Sequence, residues 1–321
     1  MSLIFCHRSA VGLYRMDCPT QPFRGGLDRA WARGDASDLP ARARACSSQA
    51  RYLERPYHLL VPSSVKRRST AEVVYHSLGR FPSGALRQLA PGEFVVSPEC
   101  CLMQMARSME MLELVKLGYE FCGRYSFDRQ GACLFDERDP LTDPVRLGRF
   151  AARMEGAYGI RHLTRALPHI IGNSFSPAET ATAMLLSLPH RYGGFAIERP
   201  LLNHRIDPGA RHQASVGKAY YLCDLFWPEA QVAVEYDSDL CHTGPERIAR
   251  DALRRIDLTR LGVTVLTLTK GQLYDPWAFA RFAGTLARSL GGQLRVRCGG
   301  FEERHRLLRA TVLSGSGAIR R

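Results

Sequence analysis

AYYLCDLFWPEAQVAVEYD, residues 219–237, holds two β-prone runs, AYYLCDLF (219–226) and QVAVEYD (231–237), joined by the tight connection Trp227-Pro228-Glu229-Ala230. Aromatic and β-branched residues bounded by turn residues predict strands, and two runs so closely spaced predict a hairpin. Side chains alternate along a strand, so Glu235 and Asp237 face the same side of the second run. Pairing about the turn brings Asp224 of the first run near Glu235. Carboxylates ~4 Å apart repel by up to about 4 kcal/mol at an effective dielectric of about 20, so a cation or a basic partner is expected beside them. A hard divalent cation such as Mg²⁺ or Mn²⁺ takes carboxylate oxygens. The alternative is a solvated sheet face on which the acids pair with Arg254 or Arg255.

Outward from the hairpin, Ser176-Pro177-Ala178-Glu179 opens a helix to about Leu188, with a capping serine, Pro at the first position and an acid in the first turn. FAIERPL (195–201) is a third strand candidate. Glu246 to Leu261 reads as a helix ended by Gly262, VTVLTLT (263–269) as an apolar strand, and Pro276 to Leu290 as another helix. The expected order is helix, three strands, helix, strand, helix, an α/β arrangement. In the first half, HLLV (58–61), EVVYHSL (72–78) and EFVVS (93–97) read as short strands. Ser97-Pro98-Glu99 opens a helix with Met105, Met109 and Leu112 at helical spacing, and a second helix is expected from Val145 to Leu167. Residues 168–176 read as a linker. The expected organisation is a basic flexible arm over 1–50, a smaller α+β domain over 51–170, and the hairpin-bearing domain over 171–321 with a basic extension.

The chain has 321 residues and a formal net charge of +13. Residues 1–70 carry 12 Lys/Arg against 5 Asp/Glu and residues 291–321 carry 7 against 2, whereas the middle is nearly balanced. Basic ends of this kind are often solvated tails, and they suit contact with nucleic-acid phosphates. No run of 18 apolar residues is present, which excludes a transmembrane helix, and the first twelve residues do not read as a secretory signal; the expected compartment is the cytoplasm. Ten cysteines include no CxxC pair, so a zinc ribbon is not indicated. Cys241-His242 and Cys223 are the only cysteine grouping that suggests metal.

The stretch from Asp224 through Glu235 and Asp237 to His242, followed by Asp251-x-x-Arg254-x-x-x-Leu258-x-x-x-Gly262-x-x-Val265, resembles the Vsr-like nucleases of the PD-(D/E)XK superfamily. The helix carrying Glu179 fits the same pattern, and the resemblance covers roughly residues 174–290. It implies a restriction-endonuclease-like core and Mg²⁺- or Mn²⁺-dependent hydrolysis of phosphodiesters in nucleic acid, DNA first, in defence or repair. By that resemblance Asp224 and Glu235 hold the metal, Glu179 completes or orients the site, and His242 activates water or contacts phosphate. Three positions depart from the family pattern: Ser238 follows the E-x-D step, Asp237 stands at the superfamily lysine, and Cys223 precedes Asp224. Asp237 is then an extra ligand or a hydrogen-bonding residue at the strand end. Lys270 and Arg254 are the substitutes for the lysine, and Arg254, Arg255 and Lys270 are the expected nucleic-acid contacts.

Plainer readings exist for several of these residues: an intrahelical Asp251–Arg254 pair, a loop histidine at 242, and Glu179 favouring its helix N-terminus. Residues 57–110 faintly resemble AbiEi-like antitoxins in HLLV…EVVYHSL…GEFVVSPECCLMQMA, which implies a protein partner for the N-terminal domain and no particular residue role. The rival to a nuclease is a non-catalytic nucleic-acid-binding or toxin–antitoxin regulatory protein that keeps the fold with a degraded site.

Overall fold

Two sheets organise the chain in a computed structural model that describes residues 2–23, 25, 38–62, 68–78, 82–127, 133–134, 138–209, 218–237 and 245–314. The first is mixed and six-stranded, in the order β2-β5-β6-β1-β3-β4. Its strands are β1 (Leu3–Phe5), β2 (Gln21–Pro22), β3 (Tyr57–Val61), β4 (Val73–Ser77), β5 (Leu86–Ala90) and β6 (Glu93–Val96). β1 lies in the middle, parallel to β6 and antiparallel to β3. A flexible arm over 1–50 is therefore incorrect for the described part of that segment. Leu3, Ile4 and Phe5 are fully buried, as befits an inner strand. Helix α1 (His7–Arg15) follows at once, and Tyr14 donates its hydroxyl to the Val96 carbonyl at 2.6 Å. Arg15 grips both carboxylate oxygens of Glu120 at 2.7 Å, so part of the basic excess of the amino-terminal segment is structural. A short helix α2 (Leu39–Arg44) packs beside β1.

Helices α3 (Pro98–Met105) and α4 (Met111–Phe121), the short hairpin β7 (Ser126–Phe127) and β8 (Cys133–Leu134), and helices α5 (Pro144–Arg153) and α6 (Ile160–Ala166) form the middle of the chain. The single helix expected over 145–167 is thus two. Gly156 and Gly159 break it with φ of 79° and 92°, a left-handed backbone that favours glycine. A Cβ on Gly159 would also lie 2.4 Å from the Met103 carbonyl oxygen, so only glycine lets α6 meet α3 this closely.

The second sheet has the order β12-β11-β10-β9. After α7 (Pro177–Ser187) come β9 (Leu201–Ile206), β10 (Tyr221–Trp227), β11 (Val232–Asp237), α8 (Pro245–Arg260), β12 (Thr264–Thr269), α9 (Lys270–Tyr274), α10 (Pro276–Ser289) and α11 (Phe301–Leu313). β9 and β10 are antiparallel, β10 and β11 form the hairpin, and β12 runs parallel to β11. The strand expected over 195–201 lies further on. The amides of Phe195, Ala196 and Ile197 instead bond the carbonyls of Leu185, Leu188 and Leu186, capping the end of α7, and the strand starts only after Pro200. The carboxy-terminal segment is not merely a solvated tail, because α11 buries His305, Leu308, Arg309 and Val312. Lys116 of α4 donates to the Thr311 carbonyl at 2.7 Å.

One apolar cluster runs from Leu3 through Leu186 and Trp227 to Val312, crossing residue 170 without a break. A smaller one, with Tyr221, Cys223, Phe226, Ala233, Leu258 and Val263, joins the hairpin to α8. The fold is mixed α/β. Among the described residues no helix is long and apolar enough to cross a membrane.

Candidate functional site

Glu179 occupies the first turn of α7, where the N-terminal amides favour a carboxylate. Ser176 caps the helix by accepting from the Glu179 amide at 3.2 Å, and its hydroxyl donates to Glu179 Oε1 at 2.9 Å. Oε2 accepts from the Phe175 amide at 2.8 Å and from Asn203 Nδ2 at 2.6 Å. Asn203 on β9 also donates to the Asn173 carbonyl, and Asn173 Nδ2 answers with bonds to the Leu202 and Asn203 carbonyls. Both asparagines have positive φ, 69° and 47°, a conformation that asparagine tolerates better than most residues. One carboxylate thereby locks the 173–176 turn, the start of α7 and strand β9 together.

The hairpin supplies the other two acids. Its register pairs Leu225 with Val234, which sets Asp224 across from Glu235. Asp224 Oδ2 accepts from the Tyr236 amide at 2.7 Å, so the carboxylate stands in for a ladder carbonyl beyond the Leu225–Val234 pair. Arg254, from α8, binds both oxygens of Glu235 at 2.8 and 2.9 Å and also donates to the Leu222 carbonyl. The Asp251–Arg254 pair is thus not needed to explain Arg254, and the Asp251 side chain lies outside the described residues. The ion pair is not on a solvated face either: the two side chains are only 29% and 22% exposed. Among the described residues, Arg254 Nε is buried without a partner.

Burial and mutual repulsion set the electrostatics. Burial first, then the nearby Asp224, pushes Glu179 up to about 7 against the bonds from Phe175, Asn203 and Ser176. Glu235 rises to about 7 for the same two reasons, opposed by Arg254. Asp224 also rises, through burial, opposed by the Tyr236 amide and Arg254. One buried and two half-buried acids thus share one guanidinium among the described residues, and Glu179 and Glu235 hold protons into the neutral range.

Asp237 is half-buried at the end of β11 and pairs in register with Thr269, the residue before Lys270. Lys270 is exposed at the start of α9, on the same edge of the sheet. Arg255 is exposed and donates at 3.2 Å to Oγ1 of Thr267, the β12 residue paired in register with Glu235. His242 and Cys241 lie outside the described residues. The structure therefore gathers Glu179, Asp224, Glu235 and Arg254, while Arg255 and Lys270 stand at the periphery.

The donor set of three carboxylates, with the Cys223 thiol beside Glu235 kept protonated by burial, suits a hard divalent cation in its chemistry. Its spacing is looser than that of a preformed cage. Among the described residues, the one group of His, Cys, Asp or Glu whose ligand atoms all lie within 4.8 Å of one another is His7, His58 and His76. Asp224 Oδ1 takes no hydrogen bond among the described residues, whereas Glu235 must release part of Arg254 to serve a cation. Sequence reasoning missed the Asn173–Asn203 clasp and the histidine group. The S-x-x-E spacing of 176–179 was the visible signal for the first; nothing local marked the second.

Two uncharacterized proteins of Mycobacterium tuberculosis, from strains CDC 1551 and H37Rv, are each 24% identical to this chain over 234 residues, 73% of this chain and 73% of theirs. No family model and no solved structure matches.

Proposed function

We propose that the chain is a metal-dependent nuclease that hydrolyses phosphodiesters in nucleic acid, DNA first, on a restriction-endonuclease-like core spanning α7 to α10. The observation that carries this reading is the cross-strand pair Asp224–Glu235, half-buried beside Glu179 with, among the described residues, Arg254 alone to balance three carboxylates. Asp224 and Glu235 are the residues that would hold Mg²⁺ or Mn²⁺. When bound, the cation supplies Lewis acidity and lowers the pKa of an attacking water. Arg254, at the position of a family lysine substitute, is placed to steady charge developing on the phosphoryl oxygens once it turns from Glu235. Glu179 positions the others through its hydrogen bonds and its charge. Arg255 and Lys270, both exposed, would meet the backbone phosphates.

A second reading has its own observation. Arg254 already spans both oxygens of Glu235, as expected of a site that has exchanged its cation for a guanidinium. The chain would then bind nucleic acid, or a toxin partner, without cutting. Incubating supercoiled plasmid and single-stranded oligonucleotides with the protein in Mg²⁺, Mn²⁺ or EDTA separates the two. The nuclease reading expects cation-dependent nicking that Asp224→Asn and Glu235→Gln each abolish. Equal cleavage by all three proteins, or none by the wild type in either cation, sinks it.

A further inference from the structure

The tightest cluster of ligating side chains lies in the other sheet. His7 is the first residue of α1, directly after β1; His58 is on β3 and His76 on β4. In the parallel β3–β4 register, Leu60 pairs with His76, so His58 and His76 project from the same face on adjacent strands. The imidazole centroids are 4.7 to 5.1 Å apart with interplanar angles of 16° to 24°. His58 Nδ1 and His76 Nε2 lie 2.8 Å apart. The backbone amide of His7 is held by Gln104 Oε1, and that of His58 by Ser9 Oγ.

Two observations separate this group from an ordinary packed histidine cluster. His7 is 93% buried, yet its Nδ1 has no hydrogen-bonding partner among the described residues. Its other nitrogen, Nε2, meets Ser108 Oγ at 3.1 Å, an outer contact of the kind that orients a ligating imidazole. A buried nitrogen lone pair or N–H without a partner is costly, and an ion at the centre of the group removes that cost. The residue is also held at φ 49°, a left-handed backbone that non-glycine residues seldom adopt and that surrounding structure must enforce.

We propose that His7, His58 and His76 bind one divalent transition-metal ion of the zinc class. Two imidazole nitrogens at ~2.1 Å from a tetrahedral ion stand about 3.4 Å apart, so the His58–His76 contact need open by only about half an ångström. The hydrogen now shared by those two nitrogens moves to the far nitrogen of the donating ring, and both lone pairs then face the ion. All three rings are neutral at physiological pH: burial, the other histidines and the charges of Arg8 and Arg107 push His7 down to about 3, and His58 and His76 to about 4. The same arginines repel a cation. Only an ion that gains strongly from nitrogen coordination overcomes them, which selects Zn²⁺, Co²⁺ or Ni²⁺ over Mg²⁺ or Ca²⁺. Three ligands leave a fourth position on the side of half-buried His76.

The test uses the full chain, stripped by dialysis against a chelator and titrated with Co²⁺. One equivalent should develop the visible absorption of a tetrahedral centre, Zn²⁺ should bleach it, and millimolar Mg²⁺ should not. His58→Gln and His76→Gln should each weaken binding at least a hundredfold, while Asp224→Asn leaves it intact. X-ray absorption of the zinc-loaded wild type needs no variant and should show three imidazole nitrogens at ~2.0–2.1 Å. A wild type that takes up no Co²⁺, a band retained in both histidine variants, or a zinc shell without imidazoles overturns the assignment and leaves a neutral hydrogen-bonded stack.

Discussion

The two buried clusters are opposites in charge. Around the hairpin, Glu179, Asp224 and Glu235 are drawn together so that protonation is favoured to unusually high pH. In the amino-terminal sheet, His7, His58 and His76 refuse protons to unusually low pH. Each cluster therefore disfavours its own ionised form, and under the two proposals a cation would offset each in its own way: the acids would gain charge balance, the histidines coordination. The difference teaches that one chain can keep hard and borderline ligand chemistry apart by placing them in separate sheets, with Arg254 beside the acids and Arg8 and Arg107 beside the histidines.

The sharpest way to break the comparison is catalytic. Asp224→Asn should reduce any Mg²⁺- or Mn²⁺-dependent cleavage by at least a hundredfold, measured by initial rates of plasmid nicking, while His76→Gln should leave it within a few-fold. Loss of cleavage in both would mean that the clusters are coupled.

The next effect is structural. Glu179→Ala strands the Phe175 amide and Asn203 Nδ2, and each buried unsatisfied donor costs about 1–3 kcal/mol, so chemical denaturation should show a loss of about 2–5 kcal/mol. Glu179→Gln keeps acceptor and donor positions and should cost less than half of that. Equal losses would show that charge, rather than hydrogen bonding, secures the turn.

Stability against pH should carry both signatures. Between about 4.5 and 7 the folded carboxylates bind more protons than the unfolded chain, so in EDTA their contribution is full below about 4.5 and is lost as pH rises to about 7. The slope is at most about 1.4 kcal/mol per pH unit for each group. The histidines act in reverse: their contribution is full above about 6.5 and is lost as pH falls through about 4 and then 3. Thermal melts of Glu235→Gln should be flatter between pH 5 and 7 than those of the wild type, and melts of His76→Gln less acid-sensitive below pH 6. Identical profiles for all three proteins would remove the electrostatic account of both clusters.

The smallest effect concerns the periphery. Arg255→Ala removes one exposed hydrogen bond to Thr267 and should change stability by no more than about 0.5 kcal/mol. If Arg255 meets a phosphate, the log–log salt dependence of duplex binding should become shallower by about 0.9. An unchanged slope would assign Arg255 to the protein surface alone.

The hairpin was legible because its turn is four residues long and its strands are rich in aromatic and β-branched side chains. The cap at Ser176 was legible because it is local. Arg254 was legible only as one of two candidates: the sequence offers Arg254 or Arg255 to the acids and Asp251 one turn away, and the packing of α8 on β10 and β11 sends Arg254 to Glu235. FAIERPL misled because its composition suits a strand while its amides are needed by the end of α7. LIF at residues 3–5 is too short to display a period, so the strand was hidden inside Arg- and Gly-rich text. The histidines are 51 and 18 residues apart along the chain and meet only through sheet register, which no local pattern encodes.

That hidden strand has a consequence for synthesis. Leu3 pairs with Glu93, and Phe5 with Leu59, so β1 is synthesised before both of the strands it sits between. At ~5–20 residues per second, on the order of ten seconds separates the appearance of β1 from that of β6. During that interval Leu3, Ile4 and Phe5 are exposed with unpaired backbone on both edges, the state most prone to association between nascent chains. Slower translation over residues 6–93 is then expected to lengthen that exposure and lower the amount of protein recovered in usable form.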